Sequence, residues 1–201
     1  MTDVQNSATA TARRLNHVEF VHRPGESELV IDLFEALGCP CRQIDSPPFG
    51  KYVVVQLDDS PHGENDIFVT EVEAEQLALE DALQGQIDSG HSNLATASAR
   101  FRLLQKERPY RTTHVGIRVP SVAALDAVIE RLGSLSAQKL AGRLDLGLTL
   151  SRSADEAHRM SAPMKQIWVW TDVISTGLLS VGQQFELQAY DTGHRHFEAG
   201  T

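Results

Sequence analysis

The sequence predicts an α+β fold in which helices cover one face of a largely antiparallel sheet in each of two similar halves. Three observations predict it. A strand of alternating character, an amphipathic helix and a glycine recur in that order in both halves. Each half then continues as short β-rich segments set apart by Pro, Gly, Asp and Ser. The stretch between the halves has helical periodicity.

The elements follow in order. Residues 1–14 are polar, rich in Thr, Ala and Ser, and read as a frayed leader. The first module, residues 15–72, opens with a strand over 15–21. Its helix over 26–37 has Leu29, Ile31, Leu33, Phe34 and Leu37 as its apolar side, and Gly38 stops it. Strands are expected over 52–57 and 66–72, with 41–44 a weaker candidate. Residues 73–111 form a helical linker, with helices over 75–87 and 94–106 broken at Asp88-Ser89-Gly90. This linker packs across the outside or onto a second subunit, or else forms a lid. The second module, residues 112–190, repeats the plan. Its strand covers 113–119 and its helix 122–132, the latter built on Val122, Leu125, Val128, Ile129 and Leu132 and stopped by Gly133. Strands over 166–173 and 184–190, with a looser one over 144–150, complete it, and residues 191–201 are a polar tail. Each half is thus a strand, a helix and about three more strands (βαβββ).

Charge narrows the function. The 201 residues carry 18 Lys and Arg against 27 Asp and Glu, a formal net charge of -9 that repels polyanions and argues against nucleic acid as a partner. No apolar run approaches the roughly 18 residues a membrane helix requires, so no membrane partner and a cytoplasmic location are expected. Cys39 and Cys41, one residue apart, read as two small, partly buried thiols rather than a disulfide or metal pair.

Strand alternation assigns faces. With Val18 and Phe20 packed under the helix, His17, Glu19 and Val21 lie opposite. With Val115, Ile117 and Val119 packed, His114, Gly116 and Arg118 lie opposite. In the last strand Phe185, Leu187 and Ala189 form the apolar set, so Glu186, Gln188 and Tyr190 share the histidines' face. Taken singly, a strand His or Glu is usually a hydrogen-bonded or solvated residue. Two imidazoles and a carboxylate on one surface are also what Fe(II) or Mn(II) binds on one side of its octahedron, and their matched placement in a repeat favours that role. Trp168 and Trp170 pack under a helix, the commoner role for a strand Trp, or line an aromatic pocket. His194 and His196 in the tail, His62 in a turn, and His91 and His158 in polar surroundings are weaker candidates.

On these residues the chain resembles the vicinal oxygen chelate superfamily, which includes glyoxalase I, extradiol dioxygenases, fosfomycin-resistance proteins and methylmalonyl-CoA epimerase. The likeness spans residues 15–72 and 112–190. It implies two βαβββ modules forming a cupped, mixed sheet with helices on the outer face, and metal ligands on the first and last strands of each module. His17, His114 and Glu186 match three ligand positions. Aligning Ile67-Phe68-Val69 with Phe185-Glu186-Leu187 puts Phe68 at the remaining one. That departs from glyoxalase I and the epimerase, which place Glu or Gln there, and agrees with the extradiol dioxygenases. Glu71 would reach the site only through a β-bulge. The resemblance implies a metal-dependent enzyme, with Fe(II) foremost and Mn(II), Zn(II), Ni(II) or Co(II) as alternatives, that cleaves a catechol-type or other vicinal dioxygenated small-molecule substrate using O2. Tyr190 would donate a hydrogen bond in catalysis, while Phe68, Arg118, Gln188 and Glu19 would contact substrate. Two alternatives remain: a ligand-sequestering protein like the bleomycin-resistance proteins, and a glyoxalase- or epimerase-like lyase or isomerase with Glu19 or Glu71 as base. The superfamily often dimerises, and the linker is compatible with a homodimer.

Overall fold

The computed structural model describes residues 16–48, 50–58, 65–152 and 164–190. The leader, the tail, His62, His158, His194 and His196 lie outside them. The first module runs β1 (His17–His22), α1 (Ser27–Leu37), β2 (Cys41–Ser46), β3 (Gly50–Gln56) and β4 (Asp66–Glu71). Two linker helices follow, α2 (Ala74–Asp88) and α3 (Asn93–Glu107), then a single 3-10 turn at Pro109–Arg111. The second module runs β5 (Val115–Arg118), α4 (Val122–Gln138), β6 (Leu144–Arg152), β7 (Met164–Thr171), β8 (Ile174–Ser175) and β9 (Gln183–Tyr190).

The fold is α+β, with two mixed, largely antiparallel sheets. One has the order β2-β3-β4-β1-β8 and the other β5-β9-β7-β6. Leaving out β8, both modules have the same order, first strand, last strand, third, second. In each, the first and last strands pair in parallel and the rest pair antiparallel. The described strands therefore form two sheets rather than one continuous one. They are stitched together where β8, from the second module, pairs with the end of β1 at Val21–Ser175 and His22–Ile174.

Apolar periodicity decides what lies between them. Val30, Leu33, Phe34 and Leu37 of α1 and Leu125, Val128 and Leu132 of α4 join one buried cluster with Phe20, Val69, Val169, Phe185 and Leu187 from both sheets. The Phe20 and Phe185 rings stack at 5.7 Å between centroids, so the modules share a core. Burying one such aromatic side chain stabilises the fold by roughly 1.5–3 kcal/mol. Polar ties reinforce the join. Arg143 holds Glu26 through two bonds of 2.7 and 2.9 Å and Asp172 through a third of 2.7 Å, while Lys139 pairs with Asp32.

Gly38 ends α1 in the left-handed conformation, φ 85°, as a glycine can without a Cβ penalty. Gly133 does not end α4, and the expected stop there is corrected. The helix continues to Gln138 because Leu140 beyond it is buried, Leu135 packs against the core, and Ser136 Oγ donates to the Leu144 carbonyl at 2.7 Å. The strand expected from residue 113 begins at Val115, so His114 sits just ahead of it.

The linker forms a helical hairpin. Ser92 caps α3, its Oγ accepting from the Ala95 amide at 3.0 Å. Glu80, 3% exposed, accepts the amides of Leu179 and Ser180 and pins α2 to the turn before β9. The Arg102 guanidinium lies 3.4 Å from the Trp170 ring centroid, and Gln184 Nε2 donates to the Gln105 carbonyl at 2.7 Å. Because Trp170 and Gln184 face away from α4, α3 covers one end of the second sheet's open face. Leu79, Phe101 and Leu103 of the hairpin are exposed. No helix among the described residues is long and apolar enough to cross a membrane.

Candidate functional site

Burial along the strands follows the alternation. Phe20 and His22 of β1 are buried on the helix side, while His17 and Glu19 are exposed on the open side. Phe185, Leu187 and Ala189 of β9 are buried beside Glu186, Gln188 and Tyr190, which are half-exposed on the other face. Register then sets neighbours. In the first sheet Glu19 pairs with Phe68; in the second Gly116 pairs with Glu186, so Phe68 and Glu186 occupy equivalent places in the two modules.

In the second module the histidine and the carboxylate meet. His114 Nε2 stands 3.3 Å from Glu186 Oε2. His114 Nδ1 lies 2.8 Å from the Thr112 carbonyl, which can only accept, so Nδ1 carries the proton that is donated there. Gln188 Nε2 donates to Glu186 Oε1 at 2.7 Å. The outer atom of each group is engaged, and the inner pair is left facing. A neutral Nε2 and a carboxylate oxygen both offer lone pairs. They sit this close either as an imidazolium–carboxylate pair or with a cation between them. Adjacent ligands about 2.1 Å from an octahedral metal are about 3 Å apart, so the spacing fits two cis ligands. An imidazole whose other nitrogen donates to a carbonyl is also the usual arrangement of a metal-bound histidine.

In the first module the corresponding contact is apolar. The His17 ring lies 5.2 Å from the Phe68 ring, and its Nδ1 is 2.6 Å from Asn16 Oδ1. His17 is thus held like His114, with Nδ1 engaged by the segment ahead of its strand, yet the structure does not bring it to His114 and Glu186. Among the described residues no three His, Cys, Asp or Glu side chains form a group that could hold a metal ion. Glu71 is also elsewhere. β4 pairs with β1 without a bulge from Asp66 to Glu71, and Glu71 Oε2 accepts the Gly25 amide at 3.0 Å.

Around the pair, Tyr190 directs its hydroxyl to Gln188 Oε1 at 3.4 Å, and the Arg118 guanidinium lies 4.5 Å over the Tyr190 ring. Glu19 and Phe68 remain on the first sheet's open face. Trp168 is 2% exposed, on the sheet face that α3 covers, where it lines a small gap with Arg102, Gln105 and Lys106. It sits opposite Glu186 in register, with its ring edge-on to His114 at 4.6 Å. Alternation with the core residues Ile167 and Val169 was the signal for that side. His91 is exposed. A separate cleft of about 580 Å3, lined by His22, Tyr52, Thr70 and Glu71 among others, opens at the far ends of β1 and β4. There His22 Nδ1 is engaged with the Arg23 carbonyl and Glu71 with Gly25.

No family model matches the chain, and no curated protein does. Among solved structures it is similar to the crystal structure of UcmS2, at 14% identity and a TM-score of 0.43, over 88% of this chain and 98% of that one. It is also similar to a xylose isomerase-like TIM barrel/4-hydroxyphenylpyruvate dioxygenase fusion protein, at 12% identity and a TM-score of 0.25, over 93% of this chain and 27% of that one. Likeness at this level assigns no activity.

Proposed function

We propose that the open face of the second module is a divalent-metal site for an oxygen-rich small molecule, and that the chain is a metal-dependent dioxygenase acting on a catechol-type or other vicinal dioxygenated substrate. The supporting observation is the facing pair, His114 Nε2 and Glu186 Oε2 at 3.3 Å, with the outer atom of each held by Thr112 and Gln188. His114 and Glu186 would hold the metal, Fe(II) by the resemblance to extradiol dioxygenases. His17 stands apart, so its contribution as third ligand is a separate question for mutation. A bound metal ion would lower the pKa of a substrate hydroxyl and bring substrate and O2 together in its open positions.

The chain's own residues do the rest. Thr112 fixes the His114 tautomer, so that Nε2 is the nitrogen presented. Gln188 orients the Glu186 carboxylate and is itself reached by Tyr190, which makes Tyr190 a positioning residue through Gln188. The buried Trp168 indole walls the histidine on the β7 side and excludes water from that flank.

The test is oxygen uptake by anaerobically reconstituted protein given catechol and substituted catechols. Uptake in the wild type that is absent in His114→Ala supports the proposal, and no uptake with any vicinal diol contradicts the dioxygenase. The separation of His17 from the pair favours a second reading, a metal-free pocket that sequesters an aromatic ligand. In that case ligand binding would persist unchanged in the presence of a chelator.

A further inference from the structure

Two residues beyond Glu186 on the same face, three strands bring Arg118, Gln188 and Gln166 side by side. Arg118 pairs with Gln188 across β5 and β9, and Gln166 pairs with Gln188 across β7 and β9. Directly opposed residues of neighbouring strands share a face, so this is a polar row parallel to the row of Gly116, Glu186 and Trp168.

Two features of the row are unspent. The Arg118 guanidinium is stacked on Tyr190 but has no carboxylate partner among the described residues, whereas Arg102 and Arg143 both do. In a chain of net charge -9, a cation without an acid beside it on a ligand face is available to an anion. Gln166 is 4% exposed, and its Oε1 has no hydrogen-bond partner among the described residues. A buried acceptor with nothing donating to it is a standing cost that a ligand donor would remove. The floor beside the row is open: a Cβ built on Gly116 would meet nothing within 4 Å. In the first module the equivalent place is taken by Glu19. Two residues along a strand span about 6.6 Å, the reach of one small ring with its substituents.

We propose that this row reads a carboxylate, so that the ligand is a hydroxylated organic acid. Its oxygen pair meets His114 and Glu186, its ring lies over Gly116, and its carboxylate takes the Arg118 guanidinium. Arg118 is then the specificity-determining residue, because the planar fork of a guanidinium matches both oxygens of a carboxylate. The placement of the oxygen pair rests on the metal-site reading above; the carboxylate assignment rests on the Arg118 row alone.

Calorimetric titration of the Fe(II)-reconstituted protein under anaerobic conditions, with catechol, 3,4-dihydroxybenzoate and benzoate, tests it. The wild type binds 3,4-dihydroxybenzoate about tenfold or more tighter than catechol, and Arg118→Gln brings that ratio to about one. Equal affinity for the two in the wild type, or a ratio that survives Arg118→Gln, overturns the carboxylate assignment while leaving the metal site standing. Arg118-dependent binding of both acids with no binding of catechol supports the assignment and contradicts the metal-site reading. Failure of both acids to bind overturns the assignment.

Discussion

At the scale of single residues, the site depends on which atoms are left free once their neighbours have been served. His114 and Glu186 face one another because Thr112 and Gln188 take their other atoms. Gln188→Leu keeps the shape and removes the donor that orients Glu186, and metal affinity measured by titration is expected to fall about 10- to 100-fold. The thiols show the opposite case, groups kept out of chemistry. Burial pushes Cys39 from an ordinary value near 9 up to about 11, and burial with the neighbouring Cys39 and Glu35 pushes Cys41 to about 12. Both are protonated in the folded chain where the unfolded chain has lost its protons. Their contribution to stability is therefore complete below about pH 9 and is lost as pH rises toward 11 and 12, less for the half-exposed Cys41, where solvent screens the effect, than for the buried Cys39. Denaturation midpoints that fall between pH 9 and 11 in the wild type, and fall less in Cys39→Ala, are the expected result. Which face a residue occupies was legible in alternation alone, because the period of a strand is fixed at two. That His114 meets a carboxylate while His17 meets Phe68 depends on register and on how the two sheets lie, and neither is written in any one segment.

At the scale of elements, the repeat and the order of strands were readable because each module states its own hydrophobic periods. The errors fell where tertiary packing overrode a local signal. Gly133 reads as a stop like Gly38, yet α4 runs on because Leu135, Ser136 and Leu140 have partners beyond it. A glycine inside a helix lacks the restricted backbone of alanine, and a Cβ at Gly133 would meet only Leu146 Cδ1, at an ordinary 3.8 Å. Gly133→Ala is therefore expected to raise stability by about 0.5–1 kcal/mol in chemical denaturation, whereas a true cap glycine such as Gly38 would lose stability on the same change. The two-residue strand β8 carries no sequence signal. It exists because the chain between β7 and β9 passes the edge of β1. The linker helices were visible by period, but their destination was not. Glu80, Arg102 and Gln105 show it only through partners some 40 to 100 residues away.

At the scale of the whole molecule, two modules with the same strand order share a core and are tied by a partly buried cluster of charges. Arg143 belongs to the second module, and its principal partner Glu26 stands at the start of α1; hydrogen bonding to Glu26 and Asp172 holds the guanidinium pKa above its ordinary value. Arg143→Met would leave two partly buried carboxylates without their cation. A loss of about 1–3 kcal/mol is expected, with both modules still unfolding in one transition because Phe20 and Phe185 remain stacked. Two separated transitions in calorimetry would show that the ion cluster, and not the shared core, couples the modules.

His114 and Glu186 are proposed to hold a divalent metal. The most direct test is metal content per chain after anaerobic reconstitution with Fe(II) and gel filtration, for the wild type and for His114→Ala, with circular dichroism to show that the variant is folded. About one metal ion per wild-type chain, and essentially none in a folded His114→Ala chain, is the expected result. A wild type that retains no metal, or a variant that retains as much as the wild type, would contradict it.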